Sequence, residues 1–257
     1  MTINQKKRIA YAILGLTLTL FFSCTDIPSL EFPGRDEVQQ RYSSSSSEVS
    51  SSAQSSSSAY LCNGTQYNPS TQLCDDRDGK IYKLATIGNQ TWMAKNLNYV
   101  ATSSKCGGVK NSSTIEDEFF GTITYYPLEN SETTNCITYG RLYNWETAIS
   151  ICPGGSHLPD STEWKELLEK FTDNPTDLDN SGFAALPGGV GNADLNGFVF
   201  EGSFGSWWSA SEEDNNNGWD ALISYDNRVI EHILWGSNDK STYLSVRCIK
   251  DPPQTGD

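Results

Sequence analysis

The sequence predicts an α+β fold in which two helices sit together in mid-chain, with strands before and after them. Three observations carry this. The stretch DGKIYKLATIGNQTWMAKNLNY, residues 78–99, writes two short strands around a Gly88-Asn89 turn. LPDSTEWKELLEKF spaces Trp164, Leu167, Leu168 and Phe171 as one helical stripe. Beyond Phe171 the apolar residues come in short bursts punctuated by glycine, the habit of strands and tight loops.

From the N-terminus, Lys6, Lys7 and Arg8 precede an apolar run from Ile9 to Phe22, too short for a comfortable membrane span. It ends in LFFSC, with the small Ser23 directly before Cys24. This resembles a bacterial lipoprotein signal, in which Cys24 is acylated and becomes the mature N-terminus, although Phe21 stands where that motif prefers Leu. An ordinary cleaved signal and an uncleaved anchor are the alternatives. The expected signal peptide covers 1–23. Residues 24–59, with RYSSSSSEVSSSAQSSSSAY, lack the apolar groups that offset ordering entropy and read as a disordered Ser-rich tether.

CNGTQYNPSTQLC, within a lead-in at 60–76, is a loop that one disulfide can close. The globular domain is expected over 77–251, with a disordered tail at 252–257. It starts with the hairpin Ile81–Ile87 and Gln90–Met93. Residues 100–137 read as a polar, irregular insertion. GRLYNWETAISIC places Leu142, Trp145, Ala148 and Ile149 at helical spacing, and the second helix opens with a capping-box pattern, Asp160 and Glu163. GFVFEGSFGSWWSAS, DALISYD, VIEHILW and TYLSVRCIK then read as strands, with turns at Asp226-Asn227 and Gly236–Asp239.

The net charge of −14 falls by three, to −17, once 1–23 with its three basic residues is removed. Such an acidic surface repels phosphates and argues against nucleic-acid and anionic-lipid binding; solubility of an exported protein accounts for it. Of seven cysteines, six remain beside Cys24, and six allow fifteen pairings. None has CxxC spacing and there are only two histidines, so disulfides in an oxidising compartment are expected over a zinc site. The expected pairs are Cys62–Cys74, Cys106–Cys136 and Cys152–Cys248.

The ordered series IGNQTWMAKNLNY, YGRLYNWETA, CPGGSHLPDSTEW, GFAALPGG, WWSAS and SVRCIKD resembles the Fibrobacter succinogenes major paralogous domain over roughly residues 77–251. That family is common in exported bacterial proteins, often behind a lipoprotein signal and a serine-rich linker. The resemblance implies a layout similar to the C-type-lectin-like and formylglycine-generating-enzyme-like folds: a mixed sheet with two helices whose N- and C-terminal strands pair. It also favours Cys152–Cys248. Ser156 departs from the family's usual Trp, which implies looser packing there.

Catalysis finds little support. The formylglycine-generating relatives use reactive cysteines and copper, whereas all six cysteines here have a disulfide partner to hand. His157 precedes a helix, where it is expected to bond backbone groups; His232 alternates with apolar residues and is expected to face solvent. There is no GxSxG elbow. PGGVGNAD lacks the βαβ setting of a phosphate loop, and DLDNSG has Gly188 where an EF-hand needs Glu. WWSASEEDNNNGWD is the most suggestive cluster. On a strand Trp207 and Trp208 point to opposite faces, so one can be an exposed platform for sugar rings. Glu212, Asp214 and Asn216 add oxygen and amide groups suited to saccharide hydroxyls or Ca²⁺. A solvated acidic loop with both tryptophans buried is the competing reading, and Trp219 and Trp235 are expected in the core. The sequence therefore points to a non-catalytic, surface-exposed outer-membrane lipoprotein. Its expected role is adhesion to carbohydrate or another extracellular component, without a resident cofactor unless Ca²⁺. A structural or assembly role with a cell-envelope protein partner is the alternative, and an oxidase of the formylglycine type comes last.

Overall fold

A computed structural model describes residues 59–117, 121–192, 197–226 and 229–252. The expected signal peptide, Cys24, all but Ala59 of the Ser-rich tether, Asn227 and residues 253–257 lie outside the described residues. The described fold is α+β and rich in strands, and three disulfides staple it: Cys62–Cys74, Cys106–Cys136 and Cys152–Cys248. The last closes the longest loop, 96 residues in separation.

In the lead-in, β1 (Leu61–Cys62) and β2 (Thr65–Gln66) form a small ribbon, and β3 (Gln72–Asp75) joins the first hairpin. That hairpin is β4 (Lys80–Ile87) and β5 (Gln90–Met93). Gly88 takes φ +64° at the first central position of the turn, where a left-handed backbone favours glycine. The resulting five-stranded sheet has the order β10-β17-β5-β4-β3, with β10 at Ser156–His157 and β17 at Ile249–Lys250. Ile249 of the last strand pairs with Trp92 of β5, so the two ends of the domain are tied together.

The second sheet is larger, and it corrects several expectations. Residues 100–137 are not irregular: they hold β6 (Ser104–Gly107), β7 (Ser113–Asp117), the nine-residue β8 (Gly121–Glu129) and the start of α1 (Thr134–Tyr139). The polar sequence misleads because β7 and β8 keep much surface in solvent, while β6 buries small and polar residues. Leu142 and Tyr143 form β9 rather than a helix; Asn144 caps α2 (Trp145–Ala148), its side chain accepting from Thr147 N–H. The expected second helix is α3 (Ser161–Glu169), with a complete Asp160–Glu163 capping box. A short α4 (Asp177–Asn180) makes four helices among the described residues, two more than expected.

The remaining strands are β11 (Gly188–Asn192), β12 (Gly197–Glu201), β13 (Phe204–Glu212), β14 (Asn217–Asp226), β15 (Val229–Asp239) and β16 (Leu244–Ser245). Strand β15 runs through Gly236–Asp239, where a turn is expected; the chain turns instead at Lys240 and Ser241. The expected final strand is split into β16 and β17. The sheet order is β11-β12-β8-β6-β9-β16-β13-β14-β15, and the path closes on itself where Gly189 of β11 pairs with Gly205 of β13. Strand β15 ends the order.

Two apolar clusters flank β13. One holds Trp92, Trp164, Leu167, Phe183, Trp207 and Ile223; the other holds Met93, Tyr143, Trp145, Trp208, Leu222 and Val246. Trp92, Trp164, Phe183 and Trp207 meet mainly edge-on or tilted, at centroid distances of 4.9–6.4 Å. Truncating a buried tryptophan of this kind to Ala costs about 3–5 kcal/mol.

Candidate functional site

Strand β13 carries the two tryptophans, and the structure matches the competing reading, in which both are buried, rather than the platform. Trp207 and Trp208 do face opposite sides of the sheet, yet both are 0% exposed because a layer covers each side. The Trp207 indole donates to Asn96 Oδ1 at 2.7 Å and the Trp208 indole donates to the Tyr143 carbonyl at 2.8 Å. Neither ring is available to a sugar. Strand alternation says which way a side chain points, not whether that face is covered.

Glu212, at the end of β13, and Asp214 and Asn216, between β13 and β14, are exposed. The carboxylates of Asp214 and Glu212 already have partners within the protein. Asp214 Oδ1 accepts from the Asn216 and Asn217 N–H groups at 2.7 and 2.8 Å. Bonds from the Asn217 side chain and from these amides hold its carboxyl below the usual range. The Lys240 ammonium donates to the carbonyls of Asp214 and Asn215 at 3.0 Å each and lies 3.4 Å from Glu212 Oε2. It also sits 4.5 Å from the Trp145 ring centroid. The loop's oxygens thus surround a tethered cation.

A partly exposed aromatic pair lies on the next hairpin. A β-bulge between Ser224 and Tyr225 sets the β14–β15 register, which places Trp235 opposite Ala221 and Ser237 opposite Trp219. Trp219 and Trp235 are therefore diagonal neighbours on one face, with centroids 5.8 Å apart and planes 20° from parallel. Both are partly exposed, not core as expected. They line a groove of about 660 Å³ between the hairpin and α3, whose other walls include Leu168, Ile233, Thr162, Lys165 and Glu169. The capping box fixes where α3 begins, and Trp164, Leu167 and Leu168 anchor it, which leaves Thr162, Lys165 and Glu169 to line the groove. Sequence reasoning missed the pair because the bulge and the misplaced turn hid the cross-strand relationship; two tryptophans in adjacent strands were the available signal.

On the reverse face of β14, Asp220 is wholly buried and accepts from Ser206 Oγ and, at 3.0 Å, from Asn238 Nδ2. Burial pushes its pKa up to about 6 against the pull of these bonds. His157 does not bond backbone groups as expected. Its Nδ1 lies 2.6 Å from Asp251 Oδ1 and its Nε2 3.0 Å from Glu163 Oε1. His232, partly exposed, lies 3.3 Å from Glu231. Every cysteine among the described residues is in a disulfide, so none of them offers a thiol. Among the described residues no group of three or more His, Cys, Asp or Glu side chains converges as a metal site.

A family model described as the Fibrobacter succinogenes major domain matches residues 85–250. No curated protein and no solved structure matches the chain.

Proposed function

Because the chain belongs to the Fibrobacter succinogenes major domain family, we propose that it is a non-catalytic binding module of the cell surface, and that its ligand is carbohydrate. In this reading Cys24 is acylated and holds the protein in the outer membrane. The serine-rich segment then carries the domain away from the bilayer. The observation behind the ligand class is the partly exposed Trp219–Trp235 pair lining the groove beside α3. An indole gives a flat apolar face to one side of a pyranose, while the hydroxyls around the ring find donors and acceptors on the groove's rim.

The test is retention of the full chain on insoluble polysaccharides, compared with a Trp219→Ala, Trp235→Ala variant whose fold is checked by circular dichroism. Retention by wild type and not by the variant supports the reading; no retention on any polysaccharide removes it. Mass analysis of the mature N-terminal peptide tests the anchor, since acylated Cys24 adds the mass of its lipid and a Cys24→Ser variant does not. A second reading, assembly with an envelope protein, draws on β15. Among the described residues this 11-residue strand ends its sheet, the position at which strand addition occurs. Crosslinking in intact cells distinguishes it.

A further inference from the structure

Independently of the saccharide reading, we infer that Cys106–Cys136 is a thiol–disulfide exchange site, which a dithiol reduces and which releases Cys106 as a thiolate held by Arg141. The first argument is electrostatic. Arg141 is 1% exposed, and among the described residues no carboxylate bonds to it. It donates to Ser104 Oγ at 2.8 Å, to the Asn130 carbonyl at 2.7 Å and, through Nη1, to Cys106 Sγ at 3.1 Å. A disulfide sulfur is a weak acceptor with no charge to set against a buried cation. The thiolate left by reduction supplies that charge, so the guanidinium favours the reduced state over the oxidised one. Nothing comparable stands at the other two bridges among the described residues. Cys62 Sγ lies 3.8 and 3.7 Å from the Asp75 and Lys80 carbonyl oxygens, which repel a thiolate. Cys248 packs in an apolar cluster, which disfavours one.

The second argument concerns polarity and access. Cys136 Sγ lies 3.8 Å from the Lys105 carbonyl oxygen, so Cys106 is the better leaving thiolate and Cys136 the sulfur that is attacked. Cys136 sits on α1, a six-residue helix too short to persist without its packing. Its neighbour Ile137 is 67% exposed, and both residues line a cavity of about 210 Å³. Cys136 itself is 1% exposed, so attack follows local opening of α1 rather than unfolding of the domain. One thiol of the dithiol gives its proton to solvent and its sulfur bonds to Cys136 Sγ as the Cys106–Cys136 bond breaks. The bonding pair leaves on Cys106 Sγ. The second thiol then attacks the sulfur now joined to Cys136, forming the dithiol's own disulfide, and its proton passes to Cys136. The dithiol is oxidised by two electrons, the protein bridge is reduced by two, and β6 is no longer linked to α1.

The experiment equilibrates the folded full chain with graded ratios of reduced to oxidised dithiothreitol, alkylates it with iodoacetamide and maps each cysteine by peptide mass. Cys106–Cys136 should be half reduced at a ratio at least about tenfold lower than either other bridge needs, about 30 mV for a two-electron couple. In the reduced protein, alkylation of Cys106 should follow an apparent pKa below the usual value of about 8.5. Arg141→Gln should raise the required ratio about tenfold, and Arg141→Lys, which keeps the charge, by less. If Arg141→Gln does not fold, the alkylation profile of wild type and the Lys variant carry the test. Brief exposure to 2-mercaptoethanol, quenched with acid, should leave the adduct on Cys136. Reduction of another bridge at the same or a lower ratio overturns the inference, as does a Cys106 pKa at or above about 8.5. An adduct on Cys106 overturns the direction of attack.

Discussion

The side-chain oxygen of Asn96 accepts from both the Trp207 indole, at 2.7 Å, and the Arg247 Nε, at 2.9 Å, joining residues 111 and 151 positions away. Its amide in turn donates to the Tyr139 carbonyl at 2.7 Å. Arg247 is wholly buried, and among the described residues no carboxylate bonds to it. It donates to the carbonyls of Met93, Phe183 and Ala184 and lies 4.4 Å from the Phe183 ring centroid. Burial pulls its pKa down to about 9, still above neutral, so the charge persists and these oxygens must hold it. Asn96→Ala should therefore destabilise the domain by about 3 kcal/mol, since it strands a buried cation and an indole N–H together. Asn96→Asp keeps the acceptor and should lose less. Urea unfolding of the two variants decides this: equal losses would mean that packing at Asn96, not its oxygen, is what matters.

This network also shows what the sequence made legible. NLNY, WWSAS and SVRC look like separate motifs, yet Asn96, Trp207 and Arg247 meet at one point. Elements with local signals were readable: the Gly88 hairpin, the Asp160–Glu163 capping box and the Cys62–Cys74 loop, while Cys152–Cys248, 96 residues apart, was supported by the family resemblance. The exposure of Trp219 and Trp235 was not readable, and that of Trp207 and Trp208 stood between two readings. Trp207 and Trp208 lie on a strand covered on both faces, whereas Trp219 and Trp235 lie on the hairpin that ends the sheet. Coverage of a strand depends on its place in the sheet order, which is set by pairings between segments far apart in sequence. Strands β7 and β8 were missed for the related reason that a half-solvated strand carries a weak apolar pattern, and β6 because its buried residues are Ser104, Cys106 and Gly107 rather than large apolar ones.

Asp220 gives a pH signature. Its folded pKa, about 6, lies above the ordinary 3.8, so the folded state binds its proton more tightly than the unfolded chain does. Stability from this group is fully present below about pH 3.8 and is lost as pH rises through about 6. Asp220→Asn, nearly isosteric and uncharged, should be more stable than wild type at pH 7.5 by about 3 kcal/mol, the equivalent of that difference in pKa. The gap should close near pH 4. Denaturant melts across this range check it, and a gap that does not change with pH would sink the assignment.

His157 titrates in a higher window. Burial lowers its pKa, but hydrogen bonds to Asp251 and Glu163 and their charges outweigh that and raise it overall. A base raised in the folded state contributes stability below its unfolded value, about 6.5, and loses it as pH passes the folded value. Because the side chain is 41% exposed, solvent screens the pair and the effect should stay within roughly 1 kcal/mol. Thermal melts of His157→Gln against wild type should differ at pH 5.5 and converge at pH 8.5. Salt should narrow the difference at the lower pH; insensitivity to salt would argue against an ionic clasp.

Lys240 organises the acidic loop from outside it. Its ammonium bonds two successive carbonyls, those of Asp214 and Asn215, stands near Glu212 and rests over Trp145, so one side chain ties the β13–β14 connection to α2. Lys240→Met keeps most of the aliphatic stem and removes the charge. The exposed carbonyls then turn to water, so the cost in global stability should be about 1 kcal/mol. The local effect should be larger: amide exchange across residues 213–217 should quicken, while the Asn216 and Asn217 amides stay slower than their neighbours because Asp214 still accepts from them. Lys240→Arg should fall between. The same variants speak to Ca²⁺ at this loop, because a divalent ion there competes with the ammonium for the same oxygens. Millimolar CaCl₂ should raise the melting temperature of Lys240→Met more than that of wild type; equal shifts would place any calcium effect elsewhere on the domain.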